Sequence, residues 1–354
     1  MLIMPKVLMI GPSLDAMGGI STVENNIMKW SNRNEGSIEF ISTTAEGGKF
    51  KKLSIALVAY MKYLSRLNAC DLVHVHMASR GSYRRKKIFM RAAFFRNKPV
   101  LLHLHGSEFG VWFDEECSEA ERRDISHSFE CCSKVVVLSE EWKEFLLKRH
   151  ICSLDRIVVV HNAVDVPEVN AIDYSCNTVL FMGRLDARKS PDLLLRAAKR
   201  VLKTHPDARF VFGGDGDVPA YEQLADELGI GDRCSFIGWA KGEKKDEAFR
   251  NSSMFCLPSK NEGMPMSVLE AMSYGLATIA TPVGGIPQVI TDGVDGIMFP
   301  VDDVDALATK LENLMSDISY KEMIGIQGRA RIKDAFSLTA FMNRLGMVYE
   351  DICR

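Results

Sequence analysis

Short apolar runs alternate along the chain with longer segments whose apolar residues recur at helical spacing. In the first half the runs are Val7–Ile10, Ile38–Ser42, Leu72–His76, Val100–His105, Val135–Leu138 and Ile157–Val160. A second series is Thr178–Met182, Arg209–Gly213, Ser235–Ile237, Met254–Leu257, Thr278–Ala280 and Gly296–Phe299. Strand and helix repeated in this way predict parallel sheets with helices on both faces, an α/β class. The stretch from Val164 to Asn177 breaks the helical period and carries Pro167, so the linker is placed there. The expectation is two Rossmann-like doubly wound domains, 1–165 and 170–335, with a last helix in 336–354 packing back toward the first. Ligands bind outside the carboxyl ends of such strands, so a cleft between the two sheets is the expected site.

Composition leaves that picture intact. The 354 residues are 47% hydrophobic and 25% charged, with a net charge of −2, which suits a soluble globular chain of two domains. No apolar run reaches the ~18 residues of a membrane span, and Met1 to Ile10, with Pro5 and Lys6, reads as a first strand and not as a signal peptide. Nine cysteines without a Cys-x-x-Cys pair suggest reduced thiols and a cytoplasmic location. Charge position matters more than net charge. From Lys49 to Lys98 there are 13 Lys and Arg against one acid, Asp71, and Phe89, Phe94 and Phe95 are interleaved with the cations. A solvated face explains most charge runs, but this density points to an anionic membrane surface or a phosphorylated acceptor. No recognition motif supports nucleic acid.

The stretch Asn261-Glu-Gly-Met-Pro-Met-Ser-Val-Leu-Glu-Ala-Met-Ser-Tyr-Gly275 carries the most chemistry. It follows a strand, Pro265 suits the start of a helix and Gly275 its end. Free amides from Met264 through Ser267 to Val268 would form an anion site. Glu262 and Glu270 stand on either side to accept hydrogen bonds from hydroxyls. Two other readings fit the same residues. Ser267 and Glu270 match a capping box, and a carboxylate pair also suits glycosidase acid/base chemistry.

This stretch resembles the Glu-x7-Glu motif of retaining GT-B glycosyltransferases of family four, glycosyl transferases group 1. The likeness continues through Gly275-Leu276-Ala277-Thr278 and Thr281-Pro-Val-Gly-Gly-Ile-Pro287. Upstream, Phe181-Met-Gly-Arg-Leu-Asp-Ala-Arg-Lys-Ser-Pro-Asp192 resembles the family's Gly-Arg-Leu…Lys-Gly segment. Phe212-Gly-Gly-Asp-Gly216 resembles its Gly-x-Gly loop, Val160-His-Asn-Ala-Val-Asp165 its hinge, and Asp292-Gly-Val-Asp-Gly296 the turn that follows. The match is specific from about 157 to 300 and weaker before.

The resemblance implies a GT-B fold and a nucleotide-sugar donor. It implies that Arg184 and Lys189, after Gly183, clamp the diphosphate, where cations stabilise charge developing on the leaving group. Glu262 with the Gly263–Met264 backbone would hold the sugar, and Glu270 the ribose hydroxyls. Gly214 and Gly216 belong to the donor loop, as do Gly18 and Gly19, which open the first helix where a backbone can approach phosphate closely. Three positions depart from the family: Ala163 for Gly, Met264 for Phe and Ser190 for Gly.

The histidines come in pairs, His74 with His76 and His103 with His105, each pair on one face of its strand. Four imidazoles are metal-ligating in type, but no acid or thiol accompanies them and the family needs no metal here. The expectation is therefore no metal and no cofactor. His105, at a strand end in Leu-His-Gly, is expected to contact the donor sugar; His76 is a weaker candidate, and His74 and His103 are expected to be packed. The implied function is retaining hexosyl transfer, with a UDP-sugar favoured, to a glycan or polyprenyl-phosphate-linked acceptor in bacterial surface-polysaccharide assembly. Alternatives are an epimerase or hydrolase of the same fold, or a non-catalytic sugar-nucleotide-binding partner. A dinucleotide-dependent dehydrogenase is disfavoured, because Gly11 to Gly19 lacks Gly-x-Gly-x-x-Gly.

Overall fold

A computed structural model of the chain describes residues 5–16, 18–33, 37–44, 49–168 and 172–354, with the side chains of 49–54 outside the description. Residues 1–4, ahead of the first run, and residues 169–171 of the expected linker therefore lie outside the described residues, as do the side chains of Lys49, Lys51 and Lys52.

The chain divides into two compact units, one of Met1–Ala163 with Leu338–Arg354 and one of Val164–Ser337. In the first, strands β1 (Val7–Gly11), β2 (Ile38–Ser42), β3 (Leu72–Met77), β4 (Val100–Leu104), β5 (Lys134–Val137) and β6 (Ile157–Val159) form one parallel sheet in the order β2-β1-β3-β4-β5-β6. In the second, β7 (Thr178–Met182), β8 (Arg209–Gly213), β9 (Cys234–Gly238), β10 (Met254–Leu257), β11 (Ala277–Ala280) and β12 (Ile297–Met298) form another, in the order β12-β11-β10-β7-β8-β9. All twelve expected strands are present, shifted at most by a residue or two at their ends. They read clearly because strands of a covered parallel sheet are apolar on both faces.

Helix boundaries follow local chemistry. Ser118 and Glu121 form a capping box at the start of Glu119–Glu130, and Asp303 and Asp317 cap the helices Val304–Ser316 and Ile318–Ala335. Gly275 ends the helix Met266–Tyr274 in the left-handed region, at φ 94°. Ser190, before the helix Pro191–Val201, is also left-handed, at φ 48°. That backbone explains why glycine is usual there in the family; here the Ser190 hydroxyl donates to the Ala187 carbonyl at 3.1 Å.

The expected linker is not a free tether. Val164 pairs with Ser337, Tyr174 donates to the Gly275 carbonyl at 2.7 Å, and Arg329 reaches the Pro167 carbonyl at 2.6 Å. The boundary falls just before this stretch, at Ala163/Val164. The last helix, Leu338–Cys353, belongs to the first unit, where Tyr349 bonds His74 and Lys134 pairs with Asp351.

The two faces of β3 and β4 differ in chemistry. Val73, Val75, Met77, Leu102 and Leu104 join an apolar cluster with Tyr63, Phe89, Phe109 and Phe129. The opposite face carries His74, His76 and His103, all wholly buried.

Candidate active site

In the second unit the loops after β7, β8 and β10 leave the carboxyl edge of the sheet. Two of them are zipped together by backbone: Gly183 N–H donates to the Gly213 carbonyl at 2.9 Å and Leu185 N–H to the Asp215 carbonyl at 2.6 Å. A Cβ at Gly214 would run into the Gly183 carbonyl, and one at Gly216 into the Leu185 carbonyl, and both glycines have positive φ. Packing alone thus demands glycine at 214 and 216, whatever else they do.

The zipped loop aims Lys189 at Glu262. The ammonium lies 2.6 Å from Glu262 Oε1, and the side chains are 11% and 7% exposed. Ser259 donates to the same oxygen at 2.8 Å, and Arg188 reaches it at 3.3 Å while holding the Asn261 carbonyl at 2.9 Å. Burial pushes the Glu262 carboxyl up, but Lys189 and Arg188 outweigh it and keep it ionised below the ordinary carboxylate range. Arg184 does not join them. It is 63% exposed, and its only charge contact among the described residues is Asp186 at 3.9 Å. Arg188, which the motif comparison passed over, takes the inward place. Only the fold reveals that exchange, since 184 and 188 look alike as cations in one loop.

The Glu262 backbone is clamped from behind. Gly285 N–H donates to the Gly263 carbonyl at 2.6 Å, and a Cβ at Gly284 would strike the Glu262 carbonyl. Met264 and Val268 are buried beside it and Ser267 is partly exposed. The helix begins at Met266 with Pro265 as its cap residue and no side-chain cap bond, so the capping-box reading falls: Ser267 lies inside the helix. Glu270 instead pairs with Lys245 at 2.6 Å. Lys245 comes from the helix Glu243–Arg250 and carried no sequence signal. Of the amides expected to bind an anion, that of Val268 already donates to the Pro265 carbonyl at 3.2 Å. No side chain caps the first turn of Met266–Tyr274, which leaves its end open to a ligand.

In the first unit the helix Gly19–Arg33 opens at Gly19, after Gly18 at φ 129°. His76 and His103 are paired across β3 and β4. His76 bonds His105 at 2.8 Å, His74 bonds His103 at 3.3 Å, and His74 also bonds the Tyr349 hydroxyl at 2.8 Å. Burial pulls all four imidazoles down, to about 3 for His74 and His105, so they are neutral. His105 alone of the four is partly exposed. His76 is sealed in, which removes it as a direct ligand contact. A nitrogen from each of His74, His76 and His103 lies within 4.8 Å of the others. Without an anionic ligand, a divalent ion there would leave its charge unbalanced in a dry core.

Comparison with known proteins agrees with both halves. A model of the glycosyl transferases group 1 matches residues 165–331, and one of glycosyltransferase family 4 matches residues 29–168. Together the two models span residues 29–331, and the chain is a glycosyltransferase with the GT-B fold. The transferase is 25% identical over 332 residues, 88% of its length and 83% of the relative's, to an Escherichia coli UDP-Gal:alpha-D-GlcNAc-diphosphoundecaprenol alpha-1,3-galactosyltransferase. It is 24% identical to an uncharacterized glycosyltransferase of Methanocaldococcus jannaschii, over 68% of this chain and 66% of that one. It spans only 29% of the Arabidopsis thaliana sulfoquinovosyl transferase, at 36% identity. Its fold follows that of Anabaena HepE in complex with UDP-glucose, with a TM-score of 0.78 over 98% of this chain and all of that one, at 16% identity.

The transferase's basic window is less bare than its sequence. Lys62 and Arg66 share Glu39; Arg80 pairs with Glu108 and Glu116, Arg84 with Glu121, and Lys87 and Arg91 with Asp124. Lys86 is buried, bonded to the Thr43 hydroxyl and drawn down to about 7 by burial against the pull of Glu24. Phe89 is core and Phe94 packs against it, whereas Phe95 is 89% exposed. Leu57, Val58, Met61 and Ile88 are exposed on the two helices Lys49–Arg66 and Gly81–Phe95. Among the described residues no helix is long and apolar enough to cross a membrane.

Proposed function

We propose that this transferase moves a hexosyl unit, with retention of configuration, from a UDP-sugar to a glycan or polyprenyl-diphosphate-linked acceptor in bacterial cell-surface polysaccharide assembly. The observation that carries the reading is the inward pair Lys189–Glu262 beside the start of Met266–Tyr274. A nucleoside diphosphate offers phosphate to Lys189 and to the helix amides. As the ammonium turns to phosphate, Glu262 is freed to accept sugar hydroxyls, and Glu270 exchanges Lys245 for ribose hydroxyls. Gly183, the Gly263–Met264 backbone and Ser267 line the same edge. Arg184 is long and exposed enough to close on the outer phosphate. In the first unit, His105 and the Gly18–Gly19 backbone are the groups proposed to meet the donor. Cations and helix amides stabilise the leaving diphosphate, so no metal is required. The likeness to the E. coli enzyme over most of both chains supports the lipid-linked acceptor.

The exposed residues Leu57, Val58 and Met61 of Lys49–Arg66 and Ile88 and Phe95 of Gly81–Phe95, with the exposed Arg84, Arg85 and Arg91 of the latter helix, suit attachment to the anionic cytoplasmic face of the plasma membrane. Because so many cations of 49–98 are already paired, apolar insertion carries more of this binding than charge alone.

The deciding experiment is transfer from an α-linked UDP-sugar to a polyprenyl-diphosphate GlcNAc acceptor, with the product linkage read by NMR. An α-linked product is expected. A β-linked product refutes retention, and no transfer from any UDP-sugar refutes the donor class.

A further inference from the structure

Four neutral imidazoles and a phenol form one stack in the first unit, buried except at His105, and its proton positions can be worked out. Tyr349 is wholly buried, and burial raises its hydroxyl well above the ordinary tyrosine range. Its one hydrogen-bond partner among the described residues is His74 Nδ1, at 2.8 Å. An unpaired buried O–H is costly, so the phenol donates and His74 Nδ1 accepts. A neutral imidazole has a single N–H, so the His74 proton sits on Nε2 and is donated to His103 Nδ1, 3.3 Å away. The His103 proton then sits on Nε2.

That nitrogen and His76 Nε2 are both sealed from solvent with no hydrogen-bond partner among the described residues. The two rings are paired across β3 and β4, 5.0 Å apart. Protonating both nitrogens would leave two unpaired N–H groups in one dry space. Leaving His76 Nε2 bare places an acceptor next to a donor and removes one orphan N–H. The His76 proton must then be on Nδ1, which faces His105 Nε2 at 2.8 Å with the rings near parallel, at 15°. His105 accepts there, and its own proton is on Nδ1.

We infer that Tyr349 and His76 are positioning residues that hold His105 in its Nδ1–H tautomer, so that His105 meets the donor sugar as a hydrogen-bond donor and not as a base. This rests on the proposed contact between His105 and the sugar. The assignment accounts for why an imidazole pair on β3 and another on β4 are kept in a core that apolar residues would fill. Tyr349 orients His74 and through it His103, His76 orients His105, and the facing Nε2 atoms of His103 and His76 couple the two pairs by the cost of burying two bare N–H groups together.

The test has two readouts. In protein labelled with ¹⁵N-histidine, assigned by single substitutions among its eight histidines, long-range ¹H–¹⁵N correlation should show His105 protonated at Nδ1. Tyr349→Phe should give His105 a mixture of tautomers and lower kcat/KM by roughly 3- to 10-fold, the range of one lost hydrogen bond. His76→Leu should do the same, and His76→Asn, whose side-chain amide can donate from the Nδ1 position, should recover activity. An Nε2–H His105 in the unsubstituted protein overturns the inference, as does equal activity of His76→Leu and His76→Asn. If His105 is Nδ1–H but His105→Ala keeps the donor KM, the sugar contact is what fails, and the tautomer assignment stands.

Discussion

Acid should unfold the first unit through its histidines, by an amount that can be worked out. His74 titrates at about 3 in the folded chain against an ordinary 6.5, because burial disfavours its charged form. A folded-state value below the unfolded one means stability that is complete above pH ~6.5 and is lost as pH falls toward 3. At pH 5 the loss is about 1.5 pH units at ~1.36 kcal/mol each, or about 2 kcal/mol for His74. His76 and His103 are shifted in the same direction for the same cause. Glu24 works the other way: burial pushes its carboxyl up to about 9 against the pull of Lys86, so acidification between 9 and 4.5 favours the fold there. The wild-type pH curve therefore mixes both signs, and the informative quantity is a difference. Urea unfolding should be followed at pH 7.5 and pH 5 in wild type and His74→Gln by tryptophan emission. Trp30, Trp112 and Trp142 lie in the first unit and only Trp239 in the second, so the signal reports mainly the first. Wild type should lose about 2 kcal/mol more than the variant over that interval. Equal losses would mean that His74 is not held neutral by burial.

Lys189→Ala and Glu270→Ala should each weaken UDP binding by ~1.5–3 kcal/mol in calorimetry, with Arg184→Ala the mildest of the three because its side chain is exposed; unchanged affinity in Glu270→Ala refutes its ribose role. Transfer should persist in EDTA, and complete loss restored by Mn²⁺ or Zn²⁺ would revive a metal site at the histidines. Anionic vesicles should sediment the wild type more than Phe95→Ser combined with Arg84→Ser and Arg85→Ser, and equal sedimentation removes the membrane claim. Lys86 is left unchanged in that variant because its burial would confuse binding with unfolding.

Twelve strands and the Glu-x7-Glu helix were legible because apolar periodicity and helix-end residues are local signals. Partners were not. Glu262 meets Arg188 and Glu270 meets Lys245 across separate elements, and no spacing rule connects 245 with 270. The net charge of the basic window was hidden for the same reason. Thirteen cations against one acid in 49–98 is a fact of the chain, yet Glu39, Glu108, Glu116, Glu121 and Asp124 neutralise many of them from outside the window. The pairing of His76 with His103 was anticipated only as two strands being neighbours; the register of β3 and β4 supplied the rest.

The chain leaves the first unit at Ala163 and returns at Leu338, with Val164 and Ser337 side by side where it crosses. During synthesis this sets an order. The second unit is one uninterrupted stretch and can fold as soon as residue 337 has emerged. The first, although made earlier, lacks its last helix until the ribosome has added residues 338–353. Until Tyr349 arrives, His74 lies on an uncovered sheet face without its phenol partner. A ribosome stalled short of that helix would present a finished nucleotide-binding half joined to an unsealed one, and that is the intermediate a chaperone would have to shelter.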